Sequence, residues 1–455
     1  MKILVAGGTG FIGRKLLLRL FKEGYDLVLL SRDSKKAAQT TGLPCEIFEC
    51  DLSKEVPPAA AFSGVDGVIH LAGESLTAGR WTTAQKEKIR NSRIMGTRNL
   101  VNGFKQSGSI VPKVFIAVSA VGFYGDRGDE QLTESSGPGD GFLAEVCCDW
   151  ETEANGAANL GTRIVNLRLG IVLGRDGGVL SQIVSSFAIG LGMRLGSGKQ
   201  WMSWVHIDDA IETFCFVLKN ESVTGPLNLV APHPVTNDEF TKTLAKTLHS
   251  KALLRTPTAF LKWGLGEMSD TVLSSAKVLP SQLDSQGFKF TYPTLRTALN
   301  QIYAEFPNQI FEAFQFIGKP PQEVFAFFSE AKNLETLTPP WLHFEIVSQT
   351  AQSIDTGTEI EYRLKIHGLP IRWISRISHY KINESFVDEQ IKGPYARWYH
   401  THEFKSLRGG TLVGDHVSYR LPMGLAGKFF MGKFVEGDIL KIFSFRKNKL
   451  AQIFK

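Results

Sequence analysis

Residues 2–22, Lys2-Ile-Leu-Val-Ala-Gly-Gly-Thr-Gly-Phe-Ile-Gly-Arg-Lys-Leu-Leu-Leu-Arg-Leu-Phe-Lys22, decide how the first half of this chain is read. A short apolar run ends in Gly7-Gly8-Thr9-Gly10-Phe11-Ile12-Gly13, and an amphipathic segment starts at once with Arg14-Lys15-Leu16-Leu17. Glycine here lets the backbone turn sharply, approach a diphosphate and pack a helix on a strand. The helix start adds unpaired N–H groups and positive potential. Both the GxxGxxG register (Gly7, Gly10, Gly13) and the GxGxxG register (Gly8, Gly10, Gly13) are satisfied. In a chain with 44 glycines the pattern alone says little. Set between a strand and a helix at the first turn, it reads as a dinucleotide-binding fingerprint.

The alternation continues outward. Apolar runs at Asp26–Leu30, Cys45–Glu49, Gly67–Leu71, Lys113–Ser119 and Arg163–Leu169 are candidate strands, and Thr83–Lys105 and Phe142–Asn159 have helical spacing. Repeated βαβ units with right-handed crossovers predict a doubly wound parallel α/β sheet. At the end of the second strand an NAD site would place an acidic residue against the ribose 2′-hydroxyl, but this chain has Ser31-Arg32. A hydroxyl and a guanidinium fork suit a 2′-phosphate, which predicts NADP(H) rather than NAD(H), unless Arg32 simply faces water. Asp51 and Leu52 close the third strand, where they either contact adenine or cap the following turn.

From Phe290 to Phe311, with Pro293 and Pro307, the chain reads as a last helix followed by a linker, which puts one domain at 1–305 and a second at 311–455. Period-2 alternation then takes over, as in Glu359–Ile366, Ile371–Tyr380 and Thr411–Leu421, predicting antiparallel strands with one buried face between helices at Pro321–Ser329 and Leu425–Lys447.

Composition bounds the function classes. Against 45 acidic residues stand 51 Lys and Arg, a net charge of +6 without long like-charge runs, so no nucleic-acid partner is expected. No apolar run approaches the ~18 residues of a membrane span, and early glycines break any signal-peptide pattern, so a soluble cytoplasmic protein without membrane insertion is expected. Cys45, Cys50, Cys147, Cys148 and Cys215 form no CxxC pair, which suits reduced thiols.

Further motifs carry a family resemblance. Besides the Gly7–Gly13 turn, His70-Leu-Ala-Gly73, Ser119 followed by Phe123-Tyr-Gly125, and Trp201–Asp209 resemble the extended short-chain dehydrogenase/reductases. Gly73-Glu74, Gly79–Thr82, Ser92-Arg93, Asp149-Trp-Glu151 and Gly287–Phe290 are similar to their atypical, sugar-nucleotide epimerase-like subgroup, over about residues 1–303. The resemblance implies that Gly7, Thr9, Gly10, Phe11, Ile12 and Gly13 hold the pyrophosphate and that Ser31 and Arg32 hold the 2′-phosphate. It further implies that Asp51 and Leu52 flank the adenine, that Leu71, Ala72, Gly73 and Glu74 line the nicotinamide side, and that Ser119 is catalytic. The family pairs that Ser with Tyr-x-x-x-Lys on the next helix. Here the helix has Leu143 and Cys147 at or beside those places, with Glu145 as a nearby acid. Trp81, Trp150, Trp201 and Trp204 either line a substrate pocket or fill the core. His206 with Asp208 and Asp209 reads as a helix start, with Asp capping the helix amides.

Residues 311–450 resemble the START-like, polyketide-cyclase-like helix-grip superfamily, through Pro320–Phe328, Leu337–Trp341, Gly357–Tyr362, Phe386–Gln390, Gly393–Tyr395, His400-x-His402-x-Phe404, Gly410-Thr411 and a long closing helix. Such an α+β domain implies a cavity for an apolar ligand, lined or filled by Phe429, Phe430, Phe434, Leu440, Ile442 and Phe443. His400 and His402 share a strand face with His416 nearby, a set read as hydrogen-bonded rather than metal-binding, and no metal is expected. The expectation is therefore an NADP(H)-dependent oxidoreductase or epimerase acting on a small or nucleotide-linked substrate, fused to an apolar-ligand domain. The rival is a non-catalytic NADP(H)-binding sensor or carrier.

Overall fold

A computed structural model describes residues 1–106, 108 and 111–455, apart from the side chains of 425, 426, 428–430 and 433. The chain divides into two compact units, Met1–Ala37 with Cys45–Ala304, and Glu305–Lys455 with Ala38–Pro44.

In the first unit seven parallel strands, β1 (Lys2–Ala6), β2 (Asp26–Ser31), β3 (Cys45–Glu49), β4 (Gly67–His70), β5 (Val114–Ala120), β6 (Arg163–Leu169) and β7 (Gly225–Leu229), lie in the order β7-β6-β5-β4-β1-β2-β3. This is the doubly wound Rossmann arrangement, and the strand order reverses between β1 and β4. Helices α1 (Phe11–Lys22), α2 (Thr83–Gln106), α3 (Phe142–Asn155) and α4 (Ile207–Lys219) supply much of its helical cover. Ile3, Leu4, Val5 and Ala6 of β1 are all fully buried, as a strand covered on both faces must be. Helix α1 turns Gly13, Leu16, Leu17 and Leu20 inward and leaves Arg14 in water. Strand β7 is absent from the sequence reading because it opens with Gly225-Pro226; as the edge strand it tolerates the missing N–H.

The second unit is a seven-stranded antiparallel sheet of β8 (Gln309–Ile317), β9 (Glu345–Gln349), β10 (Glu359–Ile366), β11 (Leu369–Lys381), β12 (Ser385–Lys392), β13 (Arg397–Leu407) and β14 (Gly410–Arg420), in the order β8-β14-β13-β12-β11-β10-β9. Residues Gln309–Phe311, read as linker, begin β8 instead. Register shifts at Ile346/Ser348, Ile374/Ser375 and Ile377/His379 mark bulges, which bend a sheet. Helices α5 (Pro321–Ser329) and α6 (Lys332–Leu337) precede the meander, and α7 (Gly424–Ile453) closes the unit. Ile439 and Phe443 of α7 pack on Val417, Tyr419 and Leu421, while Leu450 enters the core with Val324, Phe325 and Phe404. This is a helix-grip domain.

Candidate functional site

The glycine turn joins β1 to α1 at the carboxyl edge of the sheet, beside the chain that leaves β4. Gly7 has a φ of 86°, and a Cβ there would lie 2.7 Å from the Ala72 N and 2.8 Å from the Leu71 carbonyl carbon. A Cβ on Gly13 would collide with the Gly7 carbonyl oxygen and the Gly8 Cα. Both positions therefore require glycine. The turn closes through Gly10 N–H donating to Gly7 O at 3.1 Å. Gly10 caps α1 without a side-chain bond, and the first turn holds no acidic residue. The helix thus presents bare amides at its positive end, with Thr9 and Gly10 exposed, Ile12 half-buried and Phe11 packed against Gly174 and Gly177.

One strand over, Ser31 Oγ donates to Asp33 O at 3.1 Å, and the exposed Arg32 guanidinium has no partner among the described residues. Asp51 serves its own turn: it accepts from Ser53 N at 3.2 Å and Ser53 Oγ at 2.7 Å and pairs with Lys54. Burial pushes its carboxyl up, but those bonds outweigh burial and hold it below the usual range. Leu52 is in the core.

Beyond β4 and β5 lies a group of polar atoms without partners. Ser119 is buried and its Oγ makes no hydrogen bond; its polar neighbour is the Cys147 thiol, a weak donor pushed up to about 11 by burial. His70 is fully buried with both ring nitrogens unpaired, and burial together with the nearby Arg93 lowers it to about 4. Arg93 packs 3.3 Å from the Cβ direction of Gly73, lies 5.3 Å from the Trp150 ring and donates to Ile89 O at 3.1 Å. Glu74 N–H donates to Ser92 Oγ at 2.9 Å. Helix α3 turns Leu143 and Cys147 toward Gly122, just past Ser119, while Glu145 is exposed beside Arg90. The sequence reading quoted Ser92-Arg93 only as a resemblance. Nothing in the sequence of α2 singled it out, because Arg93 stands among other basic and polar residues such as Lys88, Arg90, Asn91 and Arg98.

Residues 3–229 match the NAD dependent epimerase/dehydratase family, 256–302 a domain of unknown function (DUF1731), and 317–442 the polyketide cyclase/dehydrase and lipid transport family. The epimerase family protein YfhF of Bacillus subtilis is 35% identical over 306 residues, 67% of this chain and 99% of that protein. This chain belongs to the epimerase family. A chloroplastic Arabidopsis thaliana epimerase-family homologue is 36% identical over 304 residues, 66% of this chain and 86% of its own. The crystal structure of human epimerase family protein SDR39U1 with NADPH superposes with a TM-score of 0.58 at 30% identity, covering 67% of this chain and all of that one.

Of the remaining candidates in the epimerase-family unit, Trp150 is buried with its Nε1 unpaired, and the others have structural partners. Trp204 is fully buried and donates to His233 O at 3.1 Å, and Trp81 is buried with its Nε1 on Leu76 O. Trp201 instead donates to Asp129 at 2.7 Å beside Lys277. His206, not an Asp, caps α4 by accepting from Asp208 N, and Asp209 accepts from Thr291 N and Tyr292 N. A buried network unforeseen from sequence joins Arg168, bidentate to Glu151, with Tyr124 and Asn228.

In the helix-grip domain His400 and His402 face Asp415, whereas His416 pairs with Glu312 and Glu305. Of the α7 residues expected inside, Phe443 is buried and Ile442 half-buried, but Phe434 and Leu440 are 59% and 52% exposed. Phe429 and Phe430 lie outside the described side chains. A hollow of about 560 Å³ near Glu330, Lys332, Glu335 and Gln349 has a polar rim.

Proposed function

We propose that the epimerase-family unit is an NADP(H)-dependent oxidoreductase or epimerase acting on a small or nucleotide-linked substrate, and that the helix-grip domain binds an apolar molecule. The observation that carries the cofactor half is the cradle in which Gly7 and Gly13 leave no room for a side chain beneath bare helix amides, with the Arg32 guanidinium unengaged among the described residues. NADPH in the human relative supports it.

Gly7, Thr9, Gly10, Phe11, Ile12 and Gly13 would hold the pyrophosphate, Ser31 and Arg32 the 2′-phosphate, Asp51 and Leu52 the adenine edge, and Leu71 to Glu74 the nicotinamide side. When bound, the dinucleotide supplies or accepts a hydride at the nicotinamide ring. Ser119 Oγ, buried without a partner, donates to the oxygen of the reacting carbon. Arg93 provides the fixed positive charge that Lys provides elsewhere in the family, but a guanidinium stabilises an oxyanion without releasing a proton. The Cys147 thiol, pushed up to about 11 by burial, stays protonated at neutral pH. Burial likewise raises Cys45, Cys50 and Cys215, leaving free thiols that fit a reducing cytoplasm. Among the described residues no helix is long and apolar enough to cross a membrane.

One observation favours the second reading, a non-catalytic NADP(H)-binding sensor or carrier: α3 turns Leu143 and Cys147, neither of them a Tyr/Lys pair, toward the segment after Ser119. Titration calorimetry separates the claims. NADPH binds at least about ten-fold tighter than NADH, and Arg32→Ala removes most of that difference; equal affinities defeat the 2′-phosphate assignment. NADPH left unoxidised by every carbonyl and sugar-nucleotide tried, in wild type and Ser119→Ala alike, leaves the sensor reading standing.

A further inference from the structure

The epimerase-family unit concentrates its exposed apolar side chains in one place. Apart from Met1, every large apolar residue of that unit that is exposed among the described residues falls within 189–193 or 253–263. The two segments are neighbours. The short parallel strands Met193–Leu195 and Leu254–Thr256 pair with Leu254 beside Met193, and a Cβ on Gly190 would lie 3.9 Å from the Lys251 carbonyl oxygen. The helix Thr258–Leu265 follows directly after Pro257. Leu253 is 84% exposed, Trp263 74% and Phe260 62%, and the two rings are 5.5 Å apart. Single exposed apolar residues are ordinary on a protein surface, whereas a concentration of them marks a contact.

These side chains are mounted on fixed backbone. Leu261, between the two aromatics, is buried, and Arg80 Nη2 donates to Trp263 O at 2.8 Å. Ser250 Oγ donates to Phe187 O at 2.6 Å, and Arg255 Nε to Gly196 O at 2.7 Å.

The surrounding charge identifies what they meet. Residues 177–207 and 240–266 contain seven Lys and Arg and no Asp or Glu, whereas the rest of the chain has 44 basic against 45 acidic residues. The net positive charge of the protein therefore belongs to these two segments. Asp238, just outside them, pairs with Arg194 and Lys242. Lys199, Lys246, Lys251, Arg255 and Lys262 are exposed and form no ion pair among the described residues. Apolar projections among long basic side chains suit the boundary of an anionic bilayer: Leu and Phe enter the acyl edge, an indole sits at headgroup level, and lysines reach lipid phosphates. A fluid surface accepts a projection such as Leu253, between Lys251 and Arg255, without needing a pocket of matching shape.

We propose that this face of the epimerase-family unit docks on an anionic lipid bilayer, with Leu253, Phe260 and Trp263 entering the headgroup boundary and Lys251 and Lys262 meeting lipid phosphates. The contact is interfacial, since the helix has eight residues where a span needs about 20. Its attraction is reversible and weakened by salt.

Co-sedimentation of the full-length protein with sucrose-loaded vesicles tests this, using phosphatidylcholine alone and an equal mixture with phosphatidylglycerol. The protein should partition onto the mixed vesicles at least about ten-fold more strongly than onto the neutral ones, and raised salt should release it. Lys251→Glu with Lys262→Glu should abolish that preference. Phe260→Ser with Trp263→Ser, and separately Leu253→Ser, should weaken binding to the mixed vesicles, the aromatic pair by about ten-fold or more. Tm should hold in all three, because the replaced side chains are exposed. Absence from both vesicle pellets overturns the docking, and equal binding to both overturns the charge assignment. Binding that survives all three variants moves the contact to another face and overturns this one. A dimer seen by sedimentation velocity without lipid, and dispersed by Phe260→Ser with Trp263→Ser, reassigns the patch to a second copy of the chain.

Discussion

The two units bury polar groups in opposite ways. At the strand ends of the epimerase-family unit, Ser119 Oγ and both His70 nitrogens are sealed with no hydrogen bond, and Arg93 stands nearby, largely buried and influenced by Glu74. In the helix-grip domain His400, His402 and Arg446 all converge on Asp415, leaving single atoms of Asp388 and Arg446 unsatisfied. A cross-linked cluster stabilises the fold that holds it. Sealed atoms without partners, by contrast, burden the fold and acquire a purpose when something else supplies the bond.

The contrast breaks most directly at Asp415. Asp415→Ala strands a buried guanidinium and deprives two imidazoles of their acceptor, so urea unfolding followed by hydrogen exchange on the full chain should show the helix-grip domain weakened by about 3–5 kcal/mol, with the epimerase-family unit unchanged. A loss below about 1 kcal/mol would mean that the cluster is not structural.

Acid sharpens the same difference. His70 is lowered to about 4 and His402 to about 3, so below the ordinary histidine value of about 6.5 the unfolded chain binds more protons than the folded one. The stability each contributes is complete above that value and falls with pH, levelling near about 4 for the first unit and near about 3 for the second. Asp415, held down by Arg446 and the two imidazoles despite burial, extends the second decline below the ordinary carboxylate value. Hydrogen exchange across this range should trace two displaced profiles, and His402→Gln should flatten the second alone.

How much of this was legible in the sequence depended on how local the signal was. The Gly7–Gly13 turn, its flanking strand and helix, and the alternation of Glu359–Ile366 are short-range patterns, and the structure has them at those places. Strand β7 was hidden by Gly225-Pro226, whose meaning changes once it is known to lie at a sheet edge. The third partner of His400 and His402 was hidden for a different reason. Antiparallel register pairs His402 with Asp415 and Thr401 with His416, so His416 points away from the cluster. Arg93 reaches the site from α2 by tertiary packing, which spacing does not encode.

The smallest expected stability change bears most directly on function. Ser119→Ala deletes a sealed hydroxyl whose polar neighbour is only the weakly bonding Cys147 thiol, so the desolvation penalty disappears and no strong partner is stranded. Thermal unfolding should shift by less than about 1 kcal/mol, toward greater stability if it moves at all. In an enzyme the same substitution removes the donor to the reacting oxygen and lowers turnover by about a hundred-fold or more while NADPH affinity holds. A clear loss of stability would mean that Ser119 has a partner in the folded state. Stability retained with every ligand response unchanged would leave the hydroxyl a remnant, and the unpaired His70 nitrogens near it would then need a ligand other than a substrate at that carbon.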